Sequence, residues 1–303
     1  MKRLGTRGSP LALEQARRAE NYLKSSGIDV SIVVVTSKGD KDLKSPLWKL
    51  GGKGAFTRAL EEALVKGEID LAVHSAKDLP VSIAEGTEIV SVLPRGRVED
   101  LLLVREPVED VGEFLKQARI ATGSLRRRAL LRKIYGSENF VDIRGNVDTR
   151  IRKLHEGEFD ALVLARAGLE RLNLLGRSFW YKFDPDFFVP SPGQGFIVIQ
   201  GRKGENEELK RMDENWISFH VERNVAAQLS LDCRTPAGFH AKVESGKVYF
   251  SGVILTPDGS DWVELKDEER VENWDSFHIK ISEKFHALGV ERILERIERW
   301  VRS

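Results

Sequence analysis

Apolar residues recur along this chain in short blocks that switch between two periods. Leu71–Val73, Leu101–Val104 and Ala161–Ala165 are continuous apolar runs of strand length, the pattern of strands covered on both faces. Arg3–Gly5, Ile32–Val35, Glu88–Leu93, Arg119–Ala121, Phe140–Ile143 and Phe196–Gln200 read as further strands. Between them the apolar positions take helical spacing. A helix is predicted from Pro10 to about Lys24, with Ser9 as N-cap and Pro10 as its first residue. A second follows Gly51-Gly52-Lys53-Gly54 and carries Phe56, Leu60 and Leu64 on one face; others cover Ser124–Tyr135 and Val147–His155. Ser37–Ser45 is expected to be a polar loop, and Pro94–Asp100 to cross from one βα series to the next.

The two series echo each other. Gly67-Glu68-Ile69-Asp70-Leu71-Ala72-Val73 matches Gly157-Glu158-Phe159-Asp160-Ala161-Leu162-Val163, and Thr6-Arg7-Gly8-Ser9 loosely matches Thr122-Gly123-Ser124. Two similar α/β domains facing across a cleft account for both echoes. The strand at Phe196–Gln200 is expected to return to the first domain's sheet, with Gln194-Gly195 near the hinge. Glu205–Leu229 reads as mostly helical. After it the pattern changes to hairpin strands at Lys242–Glu244 and Val248–Leu255, then a final helix with Val290, Ile293, Leu294, Ile297 and Val301 on one face. The expected architecture is α/β: two α/β domains, 1–95 with 195–213 and 98–190, and a small α+β third domain, 216–303.

Length and charge narrow the class. The chain has 303 residues and a formal net charge of +1, so the whole molecule is not a polyelectrolyte binder. No apolar run is long enough to span a membrane, and the first residues lack the apolar stretch of a signal peptide, so a cytoplasmic location is expected. A single cysteine, Cys233, excludes an internal disulfide framework, and no zinc-binding spacing occurs.

The chemistry concentrates in two stretches. Leu71–Val73 runs into Ser75, Lys77 and Asp78 before Pro80 ends the strand, and ligands of open α/β sheets sit beyond such carboxyl ends. Asp78 is therefore the candidate catalytic or binding carboxylate, with Lys77 as its neutralising or anion-binding neighbour. Ser124–Arg152 holds eight cations (Arg126, Arg127, Arg128, Arg132, Lys133, Arg144, Arg150 and Arg152) against Glu138, Asp142 and Asp148. Arginine's planar fork suits carboxylate or phosphate. Arg126 and Arg127 fall in the first turn of a helix, where cations oppose the macrodipole and an anionic ligand would relieve the conflict. These arginines sit at βα junctions without interleaved aromatics, which favours a small polyanion over nucleic acid. Cys233, in Leu231-Asp232-Cys233-Arg234-Thr235-Pro236, is a loop thiol that can serve as nucleophile or attachment point.

Taken together these residues resemble the hydroxymethylbilane synthase (porphobilinogen deaminase) family. The matching pieces are Thr6–Leu13, Gly51–Gly54, Ala72–Pro80, Ser124–Arg127, Arg144–Val147 with Thr149-Arg150, Ala167–Leu169 with Arg171-Leu172, and Gly193-Gln194-Gly195, in family order. The resemblance implies three domains, the first two like periplasmic solute-binding domains. It implies head-to-tail condensation of four porphobilinogen molecules into hydroxymethylbilane with release of ammonia, on a dipyrromethane cofactor held by a thioether. It places that thioether at Cys233 and the catalytic aspartate at Asp78. Cofactor carboxylates then fall to Lys77, Thr122, Ser124, Arg126, Arg127 and Arg144, and substrate to Arg7, Ser9, Lys53, Arg58, Arg150, Arg171 and Gln194. The family expectation is a monomer without an obligate protein partner. The chain departs from the family at Leu231-Asp232, where two glycines are common, at Gly123 for serine and at Arg58 for lysine. The alternative is a non-catalytic two-lobed protein that binds a small anion, which predicts no covalent adduct and no need for Asp78. A phosphate-handling transferase would need a metal or phosphate-loop signature that the sequence lacks.

Overall fold

The computed structural model describes residues 1–36, 57–232 and 234–302. Lys53 with its glycines, and Cys233, lie outside them. The first βα series comprises β1 (Lys2–Thr6), α1 (Pro10–Ser25), β2 (Val30–Val34), α2 (Arg58–Val65), β3 (Leu71–Ser75) and β4 (Thr87–Val92). Helix α1 begins where the sequence places it: Ser9 accepts the Ala12 N–H at 3.3 Å and Pro10 opens the first turn. The second series runs β5 (Asp100–Val104), α3 (Val111–Gln117), β6 (Ile120–Ala121), α4 (Leu125–Tyr135), β7 (Phe140–Val141), α5 (Val147–His155), β8 (Ala161–Ala165), α6 (Arg166–Arg171) and β9 (Phe179–Lys182). The chain then returns through β10 (Ile197–Arg202) to α7 (Glu214–Gln228). It ends in β11 (Ala237–Glu244), β12 (Lys247–Leu255), β13 (Trp262–Arg270), α8 (Trp274–Ala287) and α9 (Val290–Arg302).

The sheets repeat one plan. The first has order β2-β1-β3-β10-β4 and the second β7-β6-β8-β5-β9. In each, three strands are parallel and the fourth position runs antiparallel to both of its neighbours. That antiparallel strand is the last of its sheet in chain order in one unit and the first in the other. The sequence echo has a physical counterpart as well. Asp70 accepts the Arg3 backbone N–H at 2.7 Å and Arg3 Nε at 3.0 Å, while Arg3 Nη2 reaches the Gly67 carbonyl at 2.7 Å. Asp160 does the same for Arg119, at 2.9 and 3.2 Å, and Arg119 Nη2 reaches the Gly157 carbonyl at 3.2 Å. In both units this knot locks the loop before the third strand onto the start of its neighbour.

The third unit is a meander, β11-β12-β13, with α8 and α9 behind it and Phe239, Phe250, Phe277 and Phe285 in its core. It docks on both others. Val253 and Leu255 of β12 join the core formed by Ala129, Leu130 and Leu131 of α4. Helix α7 buries Trp216 and Phe219 against the first unit and Val221 and Val225 against the third.

Several boundaries differ from the sequence reading. Glu205–Leu229 is mostly helical as expected, in two pieces: a single turn at Glu207–Leu209 precedes α7, whose start is set by Asp213 accepting the Asn215 and Trp216 N–H groups at 2.9 Å. Phe140–Ile143 pairs only over two residues. Helices α3, α6 and α8 and strands β9 and β13 escape the sequence reading. In β13 only Val263 is buried, so charges hide the strand period.

Candidate active site

Strand β3 is central, between β1 and β10, and its carboxyl end tightens into a single turn, Ala76–Asp78. The backbone of Gly193, in the segment where the hinge is expected, packs closely against that turn. Gly193 has φ +75, and a Cβ there would stand 3.0 Å from the Ala76 carbonyl carbon and 3.1 Å from the Lys77 nitrogen. Only glycine combines this backbone with this approach. Gly195, with φ +94, approaches the Gly96 carbonyl so closely that a Cβ would sit 2.6 Å from it. On the far side, Arg223 Nη2 donates to the Pro80 and Val81 carbonyls at 2.7 Å each and ties the turn's exit to α7. Asp78 is thereby held exposed at the rim while Ala76 is buried beneath it.

Lys77 is half-buried, and its Nζ reaches Gln194 Oε1 at 3.5 Å. Burial pushes the ammonium down to about 8; Arg127 and Arg126 push the same way, and Asp78 and Asp100 oppose them. Arg150, half-buried on α5, is likewise lowered by burial and by Arg127 and Arg144, with Asp78 opposing. The same electrostatic neighbourhood therefore contains Asp78 of the first unit and Arg127, Arg144 and Arg150 of the second. Arg150 Nε donates to the Gly145 carbonyl at 2.9 Å, which leaves its terminal nitrogens for a ligand.

Helix α4 presents Thr122, Ser124, Arg126 and Arg127. Ser124 caps the helix by accepting the Arg127 N–H at 3.4 Å, and Thr122 Oγ1 accepts the Ser124 N–H at 3.2 Å. The cations of the first turn meet an internal anion that the sequence count omits. Asp100, buried at the start of β5, accepts Arg126 Nη2 at 2.5 Å and Arg127 Nη2 at 2.7 Å. Burial acts to raise the Asp100 pKa, but Arg127 and Arg126 outweigh it and hold the carboxyl well below the usual range. The conflict with the helix dipole is thus relieved first by the fold itself. The excess persists, since two guanidiniums share one carboxylate. Arg126 Nε, Arg127 Nε and Arg144 Nη2 are buried without a hydrogen-bond partner.

The remaining residues are placed as follows. Arg7 and Ser9 are half-buried between β1 and α1, and the Arg7 charge reaches His74 near the end of β3. Arg58 is exposed at the start of α2. Arg171 is almost fully buried and donates to the Gly195 carbonyl at 2.5 Å, so it braces the hinge. Gln194 is buried at 1% exposure; its Nε2 donates to the Val98 carbonyl at 2.7 Å and to Asp100 at 3.1 Å. Asp232 is paired with Arg234, whose Nε lies 2.9 Å from its carboxylate, so that acid is neutralised locally.

Three functional residues escape the sequence reading. Asp100 precedes a fully apolar run, and nothing in its neighbours signals burial. Half-buried Arg95 pairs with fully buried Glu222 at 2.7 Å, and Glu222 also accepts the Gly193 and Ala241 N–H groups at 2.7 Å. Glu222 joins hinge, crossing segment and third unit from positions far apart in sequence. Among the described residues no cluster of acids, histidines or cysteines is arranged for a metal, and no helix is long and apolar enough to cross a membrane.

Comparison with known proteins bears on this geometry. Residues 3–210 match the family model described as "Porphobilinogen deaminase, dipyromethane cofactor binding domain". A probable porphobilinogen deaminase of Methanocella arvoryzae is 38% identical, covering 98% of each chain, and the porphobilinogen deaminase of Campylobacter hominis is 36% identical, again covering 98% of each. A probable porphobilinogen deaminase of Archaeoglobus fulgidus is 41% identical over 80% of this chain and 84% of its own. Among solved structures, a putative periplasmic sulfonate-binding protein of Methylobacillus flagellatus has a TM-score of 0.39 and 14% identity over 76% of this chain and 67% of its own.

Proposed function

The chain belongs to the porphobilinogen deaminase family, and on that premise we propose that it is a hydroxymethylbilane synthase. It condenses four porphobilinogen molecules head to tail, with loss of ammonia at each step. The observation that carries the reading is Asp78, an exposed carboxylate next to Lys77 on the turn after β3, whose charge acts on Arg150 of the second unit together with those of Arg127 and Arg144. Each pyrrole brings an acetate and a propionate, so a growing chain gathers carboxylates and needs cations to receive them. We further propose domain boundaries at 1–95 with 195–213, 98–190 and 216–303, a cytoplasmic location and a monomer.

The residues present fit a dipyrromethane cofactor. Buried guanidinium N–H groups without partners at Arg126, Arg127 and Arg144 match a ligand of several carboxylates. Lys77, Thr122, Ser124, Arg126, Arg127 and Arg144 would hold it, and Cys233 would carry its thioether. When bound, this group supplies the pyrrole terminus that is extended. Arg7, Ser9, Lys53, Arg58 and Arg150 orient the incoming carboxylates, while Arg171 and Gln194 act from the hinge. Asp78 accepts hydrogen bonds from pyrrole N–H groups and stabilises the positive charge that develops as the substrate amine leaves, an oxyanion hole of reversed sign.

Intact mass under denaturing conditions tests this assignment. Wild-type protein is expected to carry an excess of two linked pyrrole units, absent from Cys233→Ser. A wild-type mass that stays unmodified after incubation with porphobilinogen, without turnover, would return the chain to the role of a two-lobed anion-binding protein.

A further inference from the structure

Asp100 has 1% exposure and stands on the first residue of β5. Besides the two arginines, its Oδ1 accepts Gln194 Nε2 at 3.1 Å. The other terminal nitrogens of those arginines are fixed by main chain: Arg126 Nη1 donates to the Val189 carbonyl at 2.7 Å and Arg127 Nη1 to the Val163 carbonyl at 2.9 Å. Arg126 also lies over the Phe188 ring, 5.6 Å from its centroid. One carboxylate therefore sets the orientation of two guanidiniums and an amide, and two hydrogen bonds in series through Gln194 link it to Lys77, the neighbour of Asp78.

We propose that Asp100 is a positioning residue for anion binding: it holds Arg126, Arg127 and Gln194 so that ligand carboxylates are received from the cleft without rearrangement. This rests on the reading that Arg126 and Arg127 receive the carboxylates of the dipyrromethane cofactor. Donors fixed in advance bind a charged group without reorganising on arrival. Removing the central acceptor frees both forks to turn toward other carbonyls, and their register with the ligand is lost.

The proposal has a sign that simple electrostatics does not share. Asp100→Asn removes a negative charge from a cationic site, which by Coulomb attraction alone tightens any anion. Positioning predicts the reverse. The experiment measures, for wild type and Asp100→Asn as isolated, the fraction of chains carrying the dipyrromethane mass, KM and kcat for porphobilinogen, and the thermal unfolding midpoint. The expected result is a folded variant with a smaller adduct fraction and a KM raised at least tenfold. An adduct fraction equal to wild type with KM unchanged or lowered overturns the proposal. Where Asp100→Asn fails to fold, Asp100→Glu decides, because it keeps the charge and displaces the acceptor. A folded Asp100→Glu with KM raised at least threefold supports positioning, and wild-type kinetics or a second failure to fold makes Asp100 a stability residue only. Where wild type itself shows neither adduct nor turnover, the functional reading fails on its own. Titration of citrate as a probe then tests Asp100 separately: weaker binding in Asp100→Asn supports the proposal and equal or tighter binding overturns it.

Discussion

Asp78 and Lys77 are adjacent, yet they answer different experiments. Asp78 is exposed at the rim and touches no core, so Asp78→Asn is expected to keep the unfolding midpoint of wild type and lose most turnover; wild-type rates would remove it from the mechanism. Lys77 is expected to set the alkaline limb of the pH dependence. Its folded pKa, about 8, lies below the ordinary 10.5, so the cation is present below pH 8 and lost as pH rises through it. kcat/KM, which reports the free enzyme, is expected to fall above about pH 8, and Lys77→Arg to carry that limb beyond pH 10. An unshifted limb in the variant would assign the titration elsewhere. Both residues were legible because an apolar run broke into charge and then proline. The cationic character of the site was legible too, from the crowding of arginines between Ser124 and Arg152. The partner of Arg126 and Arg127 was not, because Asp100 lies before a different strand and only the fold brings it to α4.

At the level of elements, the two glycines of the hinge and the two Arg–Asp knots make separate demands. Gly195→Ala would put a methyl group 2.6 Å from the Gly96 carbonyl in a backbone region that side chains avoid. We expect it to lower stability by about 2–4 kcal/mol, read from the urea midpoint, and an unchanged midpoint would contradict the close approach. The knots predict a matched pair of effects. Asp70→Asn and Asp160→Asn each remove the charge and one acceptor oxygen from the same contact in each repeat, and each is expected to cost about 1 kcal/mol after solvent screening. Strongly unequal losses would show that the repeat is one of sequence alone. The βα rhythm made most of these elements readable, since buried parallel strands are nearly pure apolar runs. The third unit was harder. Strand β13 has eight of its nine residues outside the buried class, so its register comes from pairing with β12 rather than from its own pattern.

Across the whole molecule three imidazoles, buried His74 and half-buried His220 and His240, are pushed toward the neutral form. Burial is the first cause in lowering His74 and His220 to about 4 and His240 to about 3, with nearby arginines acting in the same direction. Each folded pKa lies below the ordinary 6.5, so the unfolded chain takes up protons first as pH falls. Stability is therefore expected to decline from about pH 6.5 toward 4, and His74→Gln to flatten that slope in denaturant titrations; an equal slope in the variant would clear His74. The placement of β10 carries a further consequence, for biogenesis. It is the strand between β3 and β4, yet it is made only after the entire second unit. As the chain leaves the ribosome, β3 and β4 have no partner between them, and the first sheet stays open with two bare edges. The second unit has all five of its strands by Lys182 and can close first. The second sheet thus has its full set of strands before the first one does, although synthesis of the first begins earlier. The nascent first unit is the part of this protein most in need of a chaperone until Arg202 has emerged.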